Sequence, residues 1–189
     1  MPPRLSNRFN GVPTQDEINE FCNAAKNGGM STVVTFLDKY GPAIINEKDH
    51  LKDTALTWAA WTGQTQMVAL LLERGANIDV KGMRGKTALA WAAEGGKQDI
   101  VTLLLEKGAA PDLKDDDGKT ALELAESRGQ AAIAKQLKDW AALQRLQAET
   151  EKQRVQREKE DAAATALTSE RREKLRQARP PKIQIPPRK

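Results

Sequence analysis

A chain of 189 residues, 39% hydrophobic and 30% charged, has room for one domain of ordinary size plus a tail, and none of its apolar runs approaches the roughly 18 residues that cross a bilayer. A single cysteine, Cys22, and a single histidine, His50, exclude an internal disulfide and any metal site built from several thiolates or two imidazoles. The net charge of +4 is uneven, with 17 basic and 19 acidic residues over 1–140 against 13 and 7 over 141–189, so the excess belongs to the end of the chain.

Residues 1–15 hold Pro2, Pro3, Gly11 and Pro13 without an apolar period and are expected as a flexible leader. No apolar segment follows the basic start, so a secretory signal is not expected and a cytoplasmic location is. A degenerate copy of the unit described next follows over about 16–50, in Phe21-Cys22-Asn23-Ala24-Ala25 and Val33-Val34-Thr35-Phe36-Leu37.

The strongest pattern then begins. Thr54-Ala55-Leu56, Thr87-Ala88-Leu89 and Thr120-Ala121-Leu122 recur at intervals of 33 residues. Self-similarity at that period marks stacked units, here about 51–83, 84–116 and 117–140, that bury their apolar faces only against one another. Each opening threonine can cap a short alanine-rich helix by accepting from a free backbone amide of the first turn. Gly63, Gly96 and Gly129 follow, and a second helix carries one apolar stripe, Met67, Val68, Leu71 and Leu72 or Ile100, Val101, Leu104 and Leu105. Gly75 and Gly108 end these second helices, where a left-handed residue is wanted. In the last unit Gln136 and Lys138 replace Leu103 and Leu105, the polar exterior that an end cap needs.

Residues 141–178 are rich in Ala, Gln, Glu, Lys and Arg without Gly or Pro, which predicts a charged helix. Trp140, Leu143 and Leu146 are candidates to dock on the last unit, whereas Gln153, Arg154 and Arg157 spoil a coiled-coil heptad seam beyond them. The end, 179–189, is expected as an extended, disordered basic tail because adjacent prolines exclude helix.

Taken together, the Thr-x-Leu starts, the paired alanines Ala59-Ala60 and Ala92-Ala93, the mid-unit glycine, the Val-x-x-Leu-Leu stripe and the Gly-Ala ends resemble the ankyrin repeat. The likeness covers about residues 16–140. Ala55, Ala88 and Ala121 stand where that family usually has Pro, and Thr57, Ala90 and Glu123 where it usually has His, so a somewhat less rigid stack is expected. The resemblance implies an all-α solenoid of helix-turn-helix units joined by hairpin-like loops, and a non-catalytic module that binds protein partners along its hairpin tips and the concave face of its first helices.

On a helix of 100° per residue, Leu56, Ala59 and Ala60 share one face, while Trp58 and Trp61 lie opposite. Trp91 repeats Trp58 one unit on, which suggests an aromatic ladder; both also suit packing between units, and the two readings stay open. Trp61 has polar counterparts, Lys26, Glu94 and Ser127, which favours contact over core. The tips vary from unit to unit in Leu51, Lys52, Met83, Arg84, Asp116 and Asp117. The candidate partner-binding set is therefore Trp58, Trp61, Met83, Arg84, Trp91, Glu94, Asp116 and Asp117. No cofactor, metal or small-molecule substrate is expected, and a monomer is.

Two other functions fit these residues less well. Gly85-Lys86-Thr87 and Gly118-Lys119-Thr120 look like the end of a phosphate loop, but Val80 stands where the earlier glycine belongs, and His50 reads as a loop residue, so catalysis is not expected. Arg171, Arg172, Lys174, Arg176 and Arg179 could instead tether the chain weakly to nucleic acid or another anionic surface, without aromatic residues to stack on bases.

Overall fold

The computed structural model describes residues 11–177, all of whose regular structure is helical. The helices are α1 (Gln15–Lys26), α2 (Met30–Tyr40), α3 (Pro42–Ile45), α4 (Ala55–Thr62), α5 (Thr65–Glu73), α6 (Ala88–Glu94), α7 (Gln98–Glu106), α8 (Ala121–Ser127) and α9 (Ala131–Gln177), with a short 3-10 turn at Met83–Gly85. The residues divide into two compact units, one ending at Asp139 and one beginning at Trp140.

In the first unit, α1, α4, α6 and α8 pack side by side in chain order, and α2, α5 and α7 form the other layer. Threonine starts the inner helices as its spacing predicts. The hydroxyls of Thr54, Thr87 and Thr120 accept from the backbone amides of Thr57, Ala90 and Glu123. Of the three residues that stand in place of the family's usual His, two close the cap. The Thr57 hydroxyl accepts from the Thr54 amide at 2.8 Å, and the Glu123 carboxylate accepts from the Thr120 amide at 2.7 Å, which satisfies a second free donor. Only Ala90 has no side chain able to do so.

The second helices end as expected, with Gly75 at φ 90° and Gly108 at φ 89°. Their apolar stripes are buried: Met67, Val68 and Leu71 in α5 and all four predicted residues in α7, while Leu72 is half-buried. Phe21, Val33, Ile44 and Ile45 extend this core through the first unit. There the degenerate copy carries the additional short helix α3, between α2 and the turn that precedes α4. In the last copy, Gln136 donates to the Thr102 hydroxyl at 2.7 Å and Lys138 pairs with Glu126 at 2.7 Å. Polar side chains thus replace the leucines of a unit that has a further neighbour.

The second unit is helical from Trp140 to Gln177, and its described side chains from Ala142 onward are exposed. Leu143 and Leu146 are 47% and 58% exposed. Arg171, Arg172, Lys174 and Arg176 lie exposed near its end, whereas Arg179 and the expected extended tail, like the first ten residues of the leader, fall outside the described residues.

Candidate protein-binding face

Three hairpin turns precede α4, α6 and α8 at the same interval as the repeat. Asp49, Gly82 and Asp115 each donate their amide to a carbonyl four residues on, that of Asp53, Lys86 and Lys119, at 2.8, 2.8 and 2.9 Å. Asp49 and Asp115 fold back on their own turns, and each Oδ1 accepts two backbone amides. The second oxygen of Asp49 accepts the indole N–H of Trp58 at 2.7 Å. That pairing is broken in the next two units. Gly82 stands at the aspartate position opposite Trp91, and Leu124 at the tryptophan position opposite Asp115. As a result the Trp91 Nε1–H and Asp115 Oδ2 lack the partner that this pair has in the first turn, and the Trp91 indole instead lies beside the Asp53 carboxylate, whose charged form it favours.

Glycine at position 82 has a steric cause. A Cβ there would lie 2.1 Å from Asp53 Oδ1, because the Asp53 carboxylate crosses from the preceding turn and accepts the Met83 amide at 3.0 Å. Burial drives the Asp53 pKa up, against the hydrogen bond from the Met83 amide, and the neighbouring Asp49 charge adds to the rise. Gly82→Ala is expected to displace this carboxylate and destabilise the protein by about 1–3 kcal/mol, as overpacking does. Urea unfolding measures the loss, and a midpoint equal to that of the wild type would show that Asp53 is not anchored there.

Around Asp53 lies a cavity of about 140 Å³ lined by Asp53, Thr57, Trp58, Trp61, Met83 and Trp91. The indoles of Trp61 and Trp91 meet edge to face with centroids 4.9 Å apart and planes at 71°, a favoured aromatic geometry. The ladder expected between the repeated positions Trp58 and Trp91 is thus made instead by Trp61 reaching the next unit. Trp61 is 40% exposed and Trp91 8%, so one indole faces outward and the other supports it. Larger clefts of about 300 and 490 Å³ are lined by Gly63, Thr65 and Gly96 to Ile100, and by residues from Glu126 to Asp139, without an aromatic residue.

The cavity gathers four of the eight candidates: Trp58, Trp61, Met83 and Trp91. Arg84 is exposed at the adjoining tip in a left-handed conformation, φ 57°, and its carbonyl accepts the amide of Asp116 at 3.0 Å. Asp116 and Asp117 are exposed on the next tip. Glu94 is placed differently from the exposed contact its polarity suggested. It is 8% exposed and holds Lys86 at 2.5 Å and Arg128 at 2.6 Å. Burial would raise its pKa, but the hydrogen bonds from Lys86 and Arg128 outweigh that effect and hold it below the ordinary carboxylate range. Ammonium groups also sit on two of the indoles, Lys26 Nζ 4.2 Å from the centre of Trp58 and Lys86 Nζ 4.5 Å from that of Trp91.

Sequence reasoning missed Asp53, Thr57 and Lys86. The signal lay in comparing repeat positions: 53, 86 and 119 read Asp, Lys, Lys, while 61, 94 and 127 read Trp, Glu, Ser, so charge and aromaticity change together. His50 is an exposed turn residue whose amide donates to Asn19 at 3.1 Å. Cys22 is fully buried, and burial pushes its thiol up to about 12, the direction opposite to nucleophilic activation. Among the described residues no helix is long and apolar enough to cross a membrane.

A family profile described as ankyrin repeats (3 copies) matches residues 10–82 and 80–148. A stretch of 42 residues, 22% of this chain, is 45% identical to the human palmitoyltransferase ZDHHC17. That stretch spans 6% of the human protein's length.

Proposed function

Because the chain belongs to the ankyrin-repeat family, we propose that it is a non-catalytic, monomeric binding module that recognises another protein through the face bearing Trp58, Trp61 and Trp91 and the tips bearing Met83, Arg84, Asp116 and Asp117. Ankyrin repeats are generally protein-interaction modules. The observation that carries the finer reading is Trp61: a large indole, 40% exposed, is held edge to face against a buried one beside a cavity. Rigid aromatic anchors at the edge of a small pocket supply much of the energy of protein recognition. Glu94 serves this face from below by fixing Lys86 under Trp91. A match to 6% of a palmitoyltransferase brings no acyl-transfer activity to this chain.

Trp61→Ala is expected to weaken capture of the partner by about 2 kcal/mol, roughly thirtyfold. The fold should survive, because much of this side chain is already in water. Capture from a lysate followed by titration of the captured protein measures the effect, and unchanged affinity would remove Trp61 from the interface. The alternative is an electrostatic contact with an anionic surface through Arg171, Arg172, Lys174, Arg176 and Arg179, which is independent of Trp61.

A further inference from the structure

The contents of the tryptophan-lined cavity can be narrowed from its size, its walls and its charge. Its volume of about 140 Å³ is several times the share of about 30 Å³ that one water occupies in the liquid. Five of its six lining residues carry no charge, and three of them are tryptophans. The sixth, Asp53, is 3% exposed, and no Lys or Arg pairs with it among the described residues. A buried carboxylate without a counter-ion is costly and is relieved by a cation.

The next repeat shows what the same positions do when that cation is built in. Lys86 takes the place of Asp53, and its ammonium sits over Trp91 and pairs with Glu94, which takes the place of Trp61. The charge has been exchanged and the aromatic platform kept. In the earlier unit the carboxylate and the additional indole are present, but the ammonium over the indole, that of Lys26 on Trp58, comes from α1 and makes no ion pair with Asp53 among the described residues.

Resting on the docking face proposed above, we propose that this cavity is a cage for a methylated ammonium group, supplied by a methylated lysine side chain of the partner. Indole walls attract a cation through the ring quadrupole, and Asp53 supplies the compensating charge. Methylation is required on two counts. A bare ammonium is close to a water molecule in size and would leave most of the volume unfilled. It is also strongly hydrated, and walls that are mostly apolar return few of those hydrogen bonds. A neutral apolar side chain would fill the space but would leave the Asp53 charge without a counter-ion.

The test uses the full chain and the indole N–H resonances of its tryptophans, titrated at constant ionic strength. The probes are tetramethylammonium and ammonium chloride, N-acetyl-trimethyllysine amide and its unmethylated form, choline, and 3,3-dimethylbutanol as choline's neutral isostere. Tetramethylammonium is expected to bind at least about tenfold more tightly than ammonium, the trimethyllysine derivative at least about tenfold more tightly than its unmethylated form, and choline likewise against its isostere. Trp61→Ala should abolish these preferences. Asp53→Asn, which keeps an oxygen for the Met83 amide, should narrow the preference for choline over its isostere while the protein stays folded. Equal binding of the charged and neutral probes to the wild type, or no binding of either, overturns the cage. Choline binding more than about tenfold tighter than the lysine derivative overturns the peptide source in favour of a free quaternary ammonium ligand. If partner capture falls in Trp61→Ala but no cation preference exists, the cage fails and the docking face stands. A cation preference with unchanged capture keeps the cage and overturns the docking face, and with it the partner as the source of the cation.

Discussion

Glu94→Ala is expected to lower the stability of the protein by about 3–5 kcal/mol, because it leaves the ammonium of Lys86 buried without its carboxylate. Lys86 is 3% exposed, and its nitrogen lies 2.5 Å from Glu94. The arm to Arg128 contributes little to this figure, since the Arg128 side chain is 59% exposed and its charge is screened by water. A fall in melting temperature of roughly 10–20 °C follows for a domain of this size. The double variant Lys86→Met with Glu94→Leu separates a lost charge pair from lost packing. Removing both charges together is expected to restore most of the stability, because the pair must offset its own desolvation. A double variant as unstable as Glu94→Ala would show that shape, not charge, dominates there.

The same pair sets a pH dependence. The folded-state pKa of Glu94 is depressed, so its contribution is present above the ordinary carboxylate range and is lost as pH falls through the lower folded value. Asp53 works in the opposite direction. Its folded pKa is raised, so its contribution is largest below the unfolded value and declines as pH rises through the folded one. Thermal scans across the acid range should therefore show a shallower acid loss in Glu94→Ala than in the wild type, and Asp53→Asn should be more stable than the wild type at neutral pH.

Leu104→Ala is expected to cost about 2.7–5 kcal/mol, the range for emptying a buried leucine site. Leu104 has no exposed surface and lies in α7, which packs on both α6 and α5. In a stack of repeats, stability is a sum of unit and interface contributions, so a cavity in an interior unit weakens its own fold and the interfaces beside it. Leu146→Ala, at a residue 58% exposed, is the control and should change stability by no more than about 0.5 kcal/mol. Chemical unfolding of both variants distinguishes the two sites: equal midpoints would contradict the assignment of α7 to the interior.

Much of this architecture could be read before any coordinates. The threonine caps, the glycine ends and the stripes of α5 and α7 depend on residues a few positions apart, and those spacings are written in the sequence. The polar last copy was legible for the same reason. The consequences of Thr57 and Glu123 were not, because a departure from a family pattern tells only which bond is absent. A hydroxyl and a carboxylate at that position make a different bond to the same threonine amide.

The candidate face was half legible. Trp61 was distinguished by its polar counterparts, and the structure leaves it 40% exposed. Glu94 was grouped with it on polarity alone, whereas its carboxylate is turned inward to Lys86 and to Arg128, 34 residues away. By itself, then, the sequence determined the repeat, its period, its helix limits and its buried stripes, all fixed by short-range hydrogen bonds and helical geometry. Only the tertiary structure decided that Asp53 occupies the space above Gly82, that Trp61 rather than Trp58 meets Trp91, and that Lys86 is buried with Glu94. The first two are contacts about one repeat apart in the chain, made once neighbouring units stack, and the third depends on the inward course that stacking gives both side chains.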